Sequence, residues 1–418
     1  MTRFCLILTI LFFSLSNGWT QQIDSIKFNG LTKTNPEYLT ALIECKVGSE
    51  LDSMIVEQDV QTLKNLNLFF SVDYSRHINP NGNYNLTFEI VEAVYLYPIL
   101  SVSGFKGQLK IQAGANQINF LGKAQSIGFQ YQFYDRHSFS LFYTAPKHSN
   151  GKTGHEIALN KYSTIEPLYF SDTVSNFNFD NYSASLGGFY WINQKFRLGL
   201  GGMYMYETYH KLDKADMEFT DDVLLFNKFQ VRFQANFNSI NQHFEFRDGI
   251  SVSLFTETIQ TQGTPEASFF KAVTEIQYFK RIGKKGNVGI QNRIGVSTNN
   301  FSPFAPFVLD GFMNVRGIGN RVARGTGELI INTEYRHTLL KKKYFILQLV
   351  ALSDFGSLRP PGGDISSVFK RDNLNVFVGG GLRLHSRLIY KSIFRLDYAI
   401  NPIDPHQGGF TFGLGQFF

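Results

Sequence analysis

From residue 98 onward the chain repeats one device: large apolar side chains alternate with polar ones, residue by residue, in segment after segment. Ile127, Phe129, Tyr131 and Phe133 are interleaved with Ser126, Gly128, Gln130 and Gln132. Phe229, Val231, Phe233, Ala235 and Phe237 are interleaved with Lys228, Gln230, Arg232, Gln234 and Asn236. Near the end, Phe394, Leu396, Tyr398 and Ile400 alternate with Arg395, Asp397 and Ala399. A period of two is the period of a strand, whose successive side chains point to opposite faces. A sheet with one apolar and one polar face has two uses. In a soluble sandwich the apolar face is buried and the polar face is wet; in a membrane barrel the apolar face meets lipid and the polar face lines the lumen.

The start of the sequence bears on that choice. Arg3 precedes a nearly continuous apolar stretch, Phe4 to Leu15, and Ser16-Asn17-Gly18 places small residues at −3 and −1 of a cut before Trp19. This is the layout of a secretory signal over residues 1–18, too short for a membrane span. Cys5 falls within it, so the exported chain keeps one cysteine, Cys45, read as a small buried apolar residue. No later run of about 18 apolar residues occurs; the most apolar stretch, Phe345 to Leu352, is interrupted by Gln348.

Three features favour the barrel. The apolar face is aromatic, with 42 Phe and 20 Tyr in 418 residues, as interface girdles require. Sixteen candidate strands, an even number, run from Leu96 to Phe418 without a convincing helix among them. The connections also alternate in length. Asn193-Gln194-Lys195, Arg281 to Gly286 and Lys341-Lys342-Lys343 are short, whereas Tyr162 to Asp180, Glu207 to Asp222, Thr298 to Gly327 and Leu358 to Asn373 are long. Short turns on one rim and long loops on the other are the outer-membrane pattern. The fold expected is mostly β: a 16-stranded transmembrane antiparallel β-barrel over 96–418, in the bacterial outer membrane.

Residues 23–93 read differently. Ile23 to Phe28 alternates and stops at Asn29-Gly30, and Thr34-Asn35-Pro36-Glu37 has the form of a helix start. Tyr38, Leu39, Leu42 and Ile43 give that helix an apolar face. Ile55, Val56, Val60 and Leu63 do the same for a second helix over Ser53 to Leu66. Strands at Phe69 to His77 and Tyr84 to Glu92 follow, joined by Asn79-Pro80-Asn81-Gly82. The order is β-α-α-β-β.

This unit resembles a POTRA (polypeptide-transport-associated) domain, the periplasmic module of the BamA/TamA outer-membrane assembly family. Ile26, Phe28, Gly30, Leu31, Gly48, the Leu66 to Phe70 stretch and Leu86 to Glu92 carry the likeness. The barrel carries a sharper one. Asn314-Val315-Arg316-Gly317-Ile318-Gly319, between the eleventh and twelfth candidate strands, resembles the family's VRG-type motif in the sixth extracellular loop. Glu328 to Thr338 contains Asn332-Thr333-Glu334-Tyr335-Arg336, close to the strand that follows the motif in the family. Leu352-Ser353-Asp354-Phe355-Gly356-Ser357 resembles its FxDxGxxW strand, with Leu for the first aromatic and no terminal Trp. Asn116 to Gly122 resembles its N-x-x-G stretch, and Leu374 to Leu384 and Phe394 to Tyr398 its closing strands. On the family's pattern Arg316 would pair with Asp354 and Glu334, making a clamp for the loop. An Arg fork suits carboxylates in a partly desolvated site, and Gly317 and Gly319 would let the backbone approach the wall. The alternative is that Arg316 is one more lumen charge.

The resemblance implies an outer-membrane barrel that assists insertion, assembly or translocation of client proteins. Its POTRA-like domain would receive unfolded or partly folded clients at a sheet edge. The barrel would act at the seam between its first and last strands. The last strand, Gly409 to Phe418, presents Phe410, Phe412, Leu414 and Phe418, and Gly413 among its glycines weakens packing there. The same strand also reads as the ordinary C-terminal aromatic strand by which outer-membrane barrels are themselves recognised. A single POTRA departs from the better-known members and leaves room for another class of role: a non-catalytic channel, a receptor, or an accessory or structural subunit of an envelope complex. The partners expected are outer-membrane lipid, client proteins and other envelope assembly subunits. Lys280-Arg281, Lys284-Lys285 and Lys341 to Lys343 sit on the short-turn rim, where they face anionic headgroups or simply keep the turns solvated.

Enzymatic readings find no support. Gly151-Lys152-Thr153 lacks the first glycine of a phosphate loop. Ser268 to Lys271 and Ser367 to Lys370 fit Ser-x-x-Lys and Lys152-Thr153-Gly154 fits a β-lactamase triplet, but their order is wrong and the Ser-Asp-Asn element is missing. The nine His are scattered, with no His-Glu-x-x-His and no Cys-x-x-Cys, so no metal or cofactor is expected. A formal charge of +6 on this length offers no nucleic-acid footprint.

Overall fold

Asp52 shows how locally the N-terminal unit is specified. Its side chain accepts a hydrogen bond from the Met54 amide at 2.8 Å and starts helix α2 (Ser53–Asn65), which buries Val56, Val60 and Leu63. In the computed structural model, which describes residues 21–418 apart from 106–107, 149–150, 171–172, 213–222, 265–266, 301–302 and 388–391, the unit's order is β1 (Ile23–Asn29), α1 (Pro36–Leu42), α2, β2 (Phe69–Ile78), β3 (Tyr84–Glu92). The leader expected at 1–18 lies outside the described residues. Strand β3 is central, parallel to β1 and antiparallel to β2. The turn after β2 is tied to β1 by Asp24, whose carboxylate accepts from the Asn79, Asn81 and Asn83 amides at 2.8–2.9 Å. Those three donors hold the Asp24 carboxyl below its usual range. Buried Asp59 accepts from the Glu44 and Cys45 amides at 2.7 and 2.9 Å, satisfying backbone that leaves α1. Cys45 is buried and free, and burial pushes its thiol up to about 12.

The second unit is a closed antiparallel barrel. Its first strands are β4 (Leu96–Phe105), β5 (Gln108–Phe120), β6 (Gln125–Tyr134), β7 (Arg136–Ala145), β8 (Thr153–Phe170), β9 (Thr173–Trp191), β10 (Phe196–Lys211) and β11 (Val223–Asn238). A short ribbon, β12 (Asn241–His243), leads into β13 (Phe246–Thr261), β14 (Phe269–Ile282) and β15 (Gly286–Ser297). The ribbon β16 (Phe307–Leu309) and β17 (Ala323–Gly325) lies inside the long loop that follows. The barrel closes with β18 (Gly327–Lys341), β19 (Phe345–Arg359), β20 (Leu374–Ser386), β21 (Ile393–Ile400) and β22 (Gly408–Leu414), which pairs with β4. Without the three short ribbon strands, sixteen strands form the wall among the described residues. Alternation assigns the faces: Leu186 and Leu200 are 62% and 63% exposed on the outside, while Arg336, Arg383 and Asp397 are buried within.

Two expectations are corrected here. Tyr162 to Asp180 is not a long connection, because β8 and β9 stay paired as far as Phe170 and Thr173. Above Lys161, β8 has no pairing to β7, so Pro167 sits where no ladder donor is needed. The extension is held by its own apolar cluster, in which Leu168, Phe177 and Phe179 pack with Tyr209 and Phe304. The second correction concerns the last strand. It ends at Leu414; the Gly415 amide still donates to the Ile393 carbonyl at 2.8 Å, but its φ is +92°, and residues 416–418 leave the ladder.

Candidate functional site

The connection from 298 to 326 is the sixth on the rim opposite the short turns, and it folds back across the lumen. Asp310 organises its turn by accepting from the Phe312 and Arg321 amides at 2.8 and 3.1 Å, and it takes the Lys110 ammonium of β5 at 3.3 Å. The Asn314 amide group donates to the Val308 carbonyl, and its own carbonyl accepts from Asn332 of β18, both at 2.8 Å. Val315, fully buried, joins the lumen core with Leu309, Ile330, Val350, Leu352 and Phe377, and Ile318 packs at its edge. Leu352, the substitution for the first aromatic of the family pattern, fills part of this core.

Arg316 is thereby delivered to the wall. Its Nε and Nη2 donate to the two carboxylate oxygens of Asp354 at 2.8 Å, and its backbone amide donates to the same group at 2.9 Å. Nη1 donates to Glu334 and reaches Asp397 at 3.5 Å. The structure thus brings Arg316, Glu334 and Asp354 together, with all three buried. Gly317 makes the approach possible: its φ is +88°, and a Cβ there would lie 2.5 Å from the Ala399 carbonyl oxygen. Gly319, with φ +105°, closes the turn by accepting from the Gly311 amide.

The cluster is larger than the three residues expected. Arg336 donates to Glu334 at 2.6 Å, and Arg383 donates to Asp397 at 2.5 Å and to Glu334 at 3.1 Å. Arg395 lies 3.7 Å from Asp397. Four guanidinium groups therefore face three carboxylates, in a site where each buried charge needs a partner. Asp397 reaches across β20 because Gly381 stands opposite it; a Cβ there would fall 1.9 Å from Asp397 Oδ1. From the sequence, Arg336 stands out only as part of the Asn332 to Arg336 stretch, and Arg395 and Asp397 only as polar alternates of their strand. Their parity put them in the lumen, but only the fold gives their mutual distance.

Phe418 is also corrected, since it does not lie on the seam. The Phe417 ring lies 4.1 Å beneath the Arg316 guanidinium, and the Phe418 carbonyl accepts from Arg247 and Arg336 at 3.1 and 3.3 Å. A cation-rich lumen with spare donors attracts both an aromatic face and a carbonyl, and this outweighs continuing the strand. Phe410, Phe412 and Leu414 do face outward on β22, and Gly413 faces inward opposite Ser101. The seam itself consists of Phe410 opposite Gly104, Thr411 opposite Ser103, Phe412 opposite Val102 and Gly413 opposite Ser101, plus one bond from Ser101 Oγ to the Phe412 carbonyl at 2.9 Å.

The far part of the loop has a second set of anchors. Ser103 Oγ donates to Asn320 at 3.0 Å, Tyr134 Oη donates to the Asn320 carbonyl at 3.1 Å, and Arg321 and Arg324 both donate to Glu166 of β8. Among the described residues no group of three His, Cys, Asp or Glu is placed to hold a metal.

A sixteen-stranded closed barrel that follows a small β-α-α-β-β unit in the chain, with its sixth long loop drawn inward and ion-paired to the following strands, defines an outer-membrane-type barrel with a POTRA-like unit. The model of the Omp85 superfamily domain matches residues 119–418, and that of the surface antigen variable number repeat, a POTRA model, matches 21–93. The chain belongs to the Omp85 superfamily. Among solved structures it is similar to BamA from Haemophilus ducreyi lacking POTRA domains 1–3, with 16% identity, a TM-score of 0.57, and 95% of this chain and 85% of that one covered. It is similar to CdiB from Escherichia coli at 12% identity and a TM-score of 0.64, covering 95% and 77%. CdiB from Acinetobacter baumannii gives 14%, 0.60, 95% and 74%. No curated protein sequence matches the chain.

Proposed function

We propose that this protein assists the insertion, assembly or translocation of client proteins at the outer membrane, with the β22–β4 seam as the working element. The observation that carries this reading is the contrast at that seam. Four opposed residue pairs close the barrel there, beside a wall in which β18 and β19 are paired from Gly327/Arg359 to Lys341/Ile346. A joint this short opens at lower cost than any fully paired one, and unfolded client strands could add to its edges. The loop-six cluster of Val315, Arg316, Gly317, Ile318, Gly319, Glu334 and Asp354 then acts as a clamp that keeps the adjoining wall rigid. The POTRA-like unit offers an edge of its own, since β2 has no strand on its outer side among the described residues.

The test is capture from that edge. A photocrosslinking residue at Phe70 of β2, exposed at 39%, should trap unfolded outer-membrane barrel precursors in living cells. Depletion of the protein should lower the folded amount of other barrels. A trapped folded envelope subunit, with every other barrel at its normal level, would reject this reading.

A second reading rests on a different observation. The lumen beside β7–β11 holds a cavity of about 250 Å³ in which Glu156, Asn160, Gln230, Arg232 and Gln234 stand beside Phe142 and Met203. That wall is compatible with a channel. Single-channel conductance that survives deletion of the N-terminal unit would favour it.

A further inference from the structure

The outer wall carries one charge in an unusual place. Lys161 on β8 belongs to the outward parity of that strand, with Ile157 and Leu159, which are 43% and 52% exposed. It stands opposite Phe139 of β7 and Tyr182 of β9, both outward and half exposed. No ion pair to Lys161 exists among the described residues. Asp180, on the same outward parity of β9 as Tyr182, is already engaged by Arg136 at 3.6 Å and by the Ser163 hydroxyl.

The height of this ammonium follows from the strand. Lys161 is eight residues above Thr153 on the short-turn rim, so at ~3.3 Å per residue and a tilt of about 40° it sits roughly 20 Å up. That is near the outer edge of an apolar band about 25 Å tall. The turn between β6 and β7 at Asp135, a few residues from Phe139, marks the same level. Immediately below Lys161, toward the bilayer centre, the wall is hollowed into a groove of about 440 Å³ walled by Phe139, Leu141, Leu159 and Tyr204. The hollow has a cause in the sequence. Ala184 lies directly between Leu159 and Tyr204, so a single methyl group stands where neighbours carry large side chains. Tyr204 is fixed over the groove by its hydroxyl, which donates to Asn227 at 2.8 Å.

We propose that this groove is a binding site for one phosphate-bearing acyl lipid of the outer leaflet, its phosphate on Lys161 and one acyl chain along Ala184. Charge complementarity selects the occupant. An ammonium at headgroup height with no protein ion pair attracts an anion, and the apolar groove directly beneath it accommodates what that anion is attached to. The flanking tyrosines suit the boundary, where one end of the ring is apolar and the other wet.

The test uses the full chain purified in detergent, titrated with bis-phosphorylated lipid A and with the same lipid dephosphorylated, and bound lipid counted by native mass spectrometry. The wild type should retain one phosphorylated molecule and bind the dephosphorylated form roughly tenfold more weakly, the size of one charge-assisted hydrogen bond. Lys161→Gln should remove that preference, whereas Lys195→Gln in a short turn of the opposite rim should not. Ala184→Leu fills the groove and should weaken both lipids while leaving the phosphate preference intact. Both substitutions are on the lipid face and leave the barrel's interior untouched. Equal retention of the two lipids by the wild type, or an unchanged preference in Lys161→Gln, would overturn the proposal and leave Lys161 merely reaching into bulk headgroups.

Discussion

Two neighbouring stretches of one sheet, the β18–β21 wall and the β22–β4 seam, are built on opposite terms. The wall is fully laddered, and its lumen face carries Arg316, Arg336 and Arg383 locked between Glu334, Asp354 and Asp397. The seam has four opposed pairs and no ion pair among the described residues. The two are connected by chain economy: residues 415–418 would have lengthened the seam, and instead Phe417 and Phe418 turn inward to cover the arginines. What tightens the clamp thereby shortens the joint. Under the proposed opening at the seam, the joint has to give way while the adjoining wall holds, and this difference in structure is the one such a task requires.

The strongest way to break this comparison is to remove the weakness of the seam. Val102→Cys with Phe412→Cys places two thiols at directly opposed outward positions, within disulfide reach in an antiparallel pair. The native Cys45 is buried, with its thiol held protonated, and stays out of the exchange. Oxidation should abolish client assembly, and a reductant should restore it. The equivalent lock in the wall, Thr333→Cys with Ser353→Cys, joins strands already fully paired and should change nothing. Full activity of the locked seam would end the lateral-opening account.

Next in size is the clamp. Arg316→Ala leaves Asp354 without its bidentate partner and Glu334 with one donor fewer, all in a buried site. Removing one member of a buried ion pair costs about 3–5 kcal/mol. The barrel should still insert, but the 298–326 loop should become sensitive to added protease and the urea midpoint should fall. Because Phe417 loses the guanidinium it lies under, labelling at residues 415–418 should rise as well. Unchanged protease sensitivity would mean the loop is held by Lys110–Asp310 and Arg321–Glu166 alone.

How far these two regions were legible in the sequence differs for a physical reason. The wall was readable because its signals are local: alternation gives each side chain's face, and the run from Asn314 to Gly319 names the turn that carries Arg316. Asp397 and Arg383 were not placed, because pairing across the lumen depends on strand register and on the gap at Gly381. The inward turn of Phe417 and Phe418 was missed for a similar reason. Alternation through Phe410, Phe412 and Leu414 extrapolates smoothly onward, and only Gly415, one glycine among several, marks the break. The β8–β9 extension was mistaken for a loop because its polar residues lack the lipid-facing alternation that betrays strands lower down. Above the membrane the outward face meets no lipid, and the apolar residues Leu168, Phe177 and Phe179 serve the inward cluster instead.

Two glycines sharpen the contrast at the scale of one methyl group. Gly317 belongs to the clamp, and a Cβ there meets fixed backbone at 2.5 Å in a left-handed conformation that L side chains rarely adopt. Gly317→Ala should therefore cost about 1–3 kcal/mol and displace Arg316 from Asp354. Gly413 belongs to the seam, and a Cβ there meets only the ends of two side chains, Arg395 Nη2 at 3.0 Å and Ser101 Oγ at 3.1 Å. Its backbone is ordinary strand, where replacing Gly by Ala is worth roughly 0.5–1 kcal/mol in favour of the folded form. Gly413→Ala should thus leave the urea midpoint level or slightly raised, while slowing client assembly by stiffening the joint. The pair separates stability from function: the clamp substitution should lower the midpoint first, and the seam substitution should lower activity without it. Loss of stability at Gly413 comparable to that at Gly317 would show that the seam is as tightly built as the wall beside it.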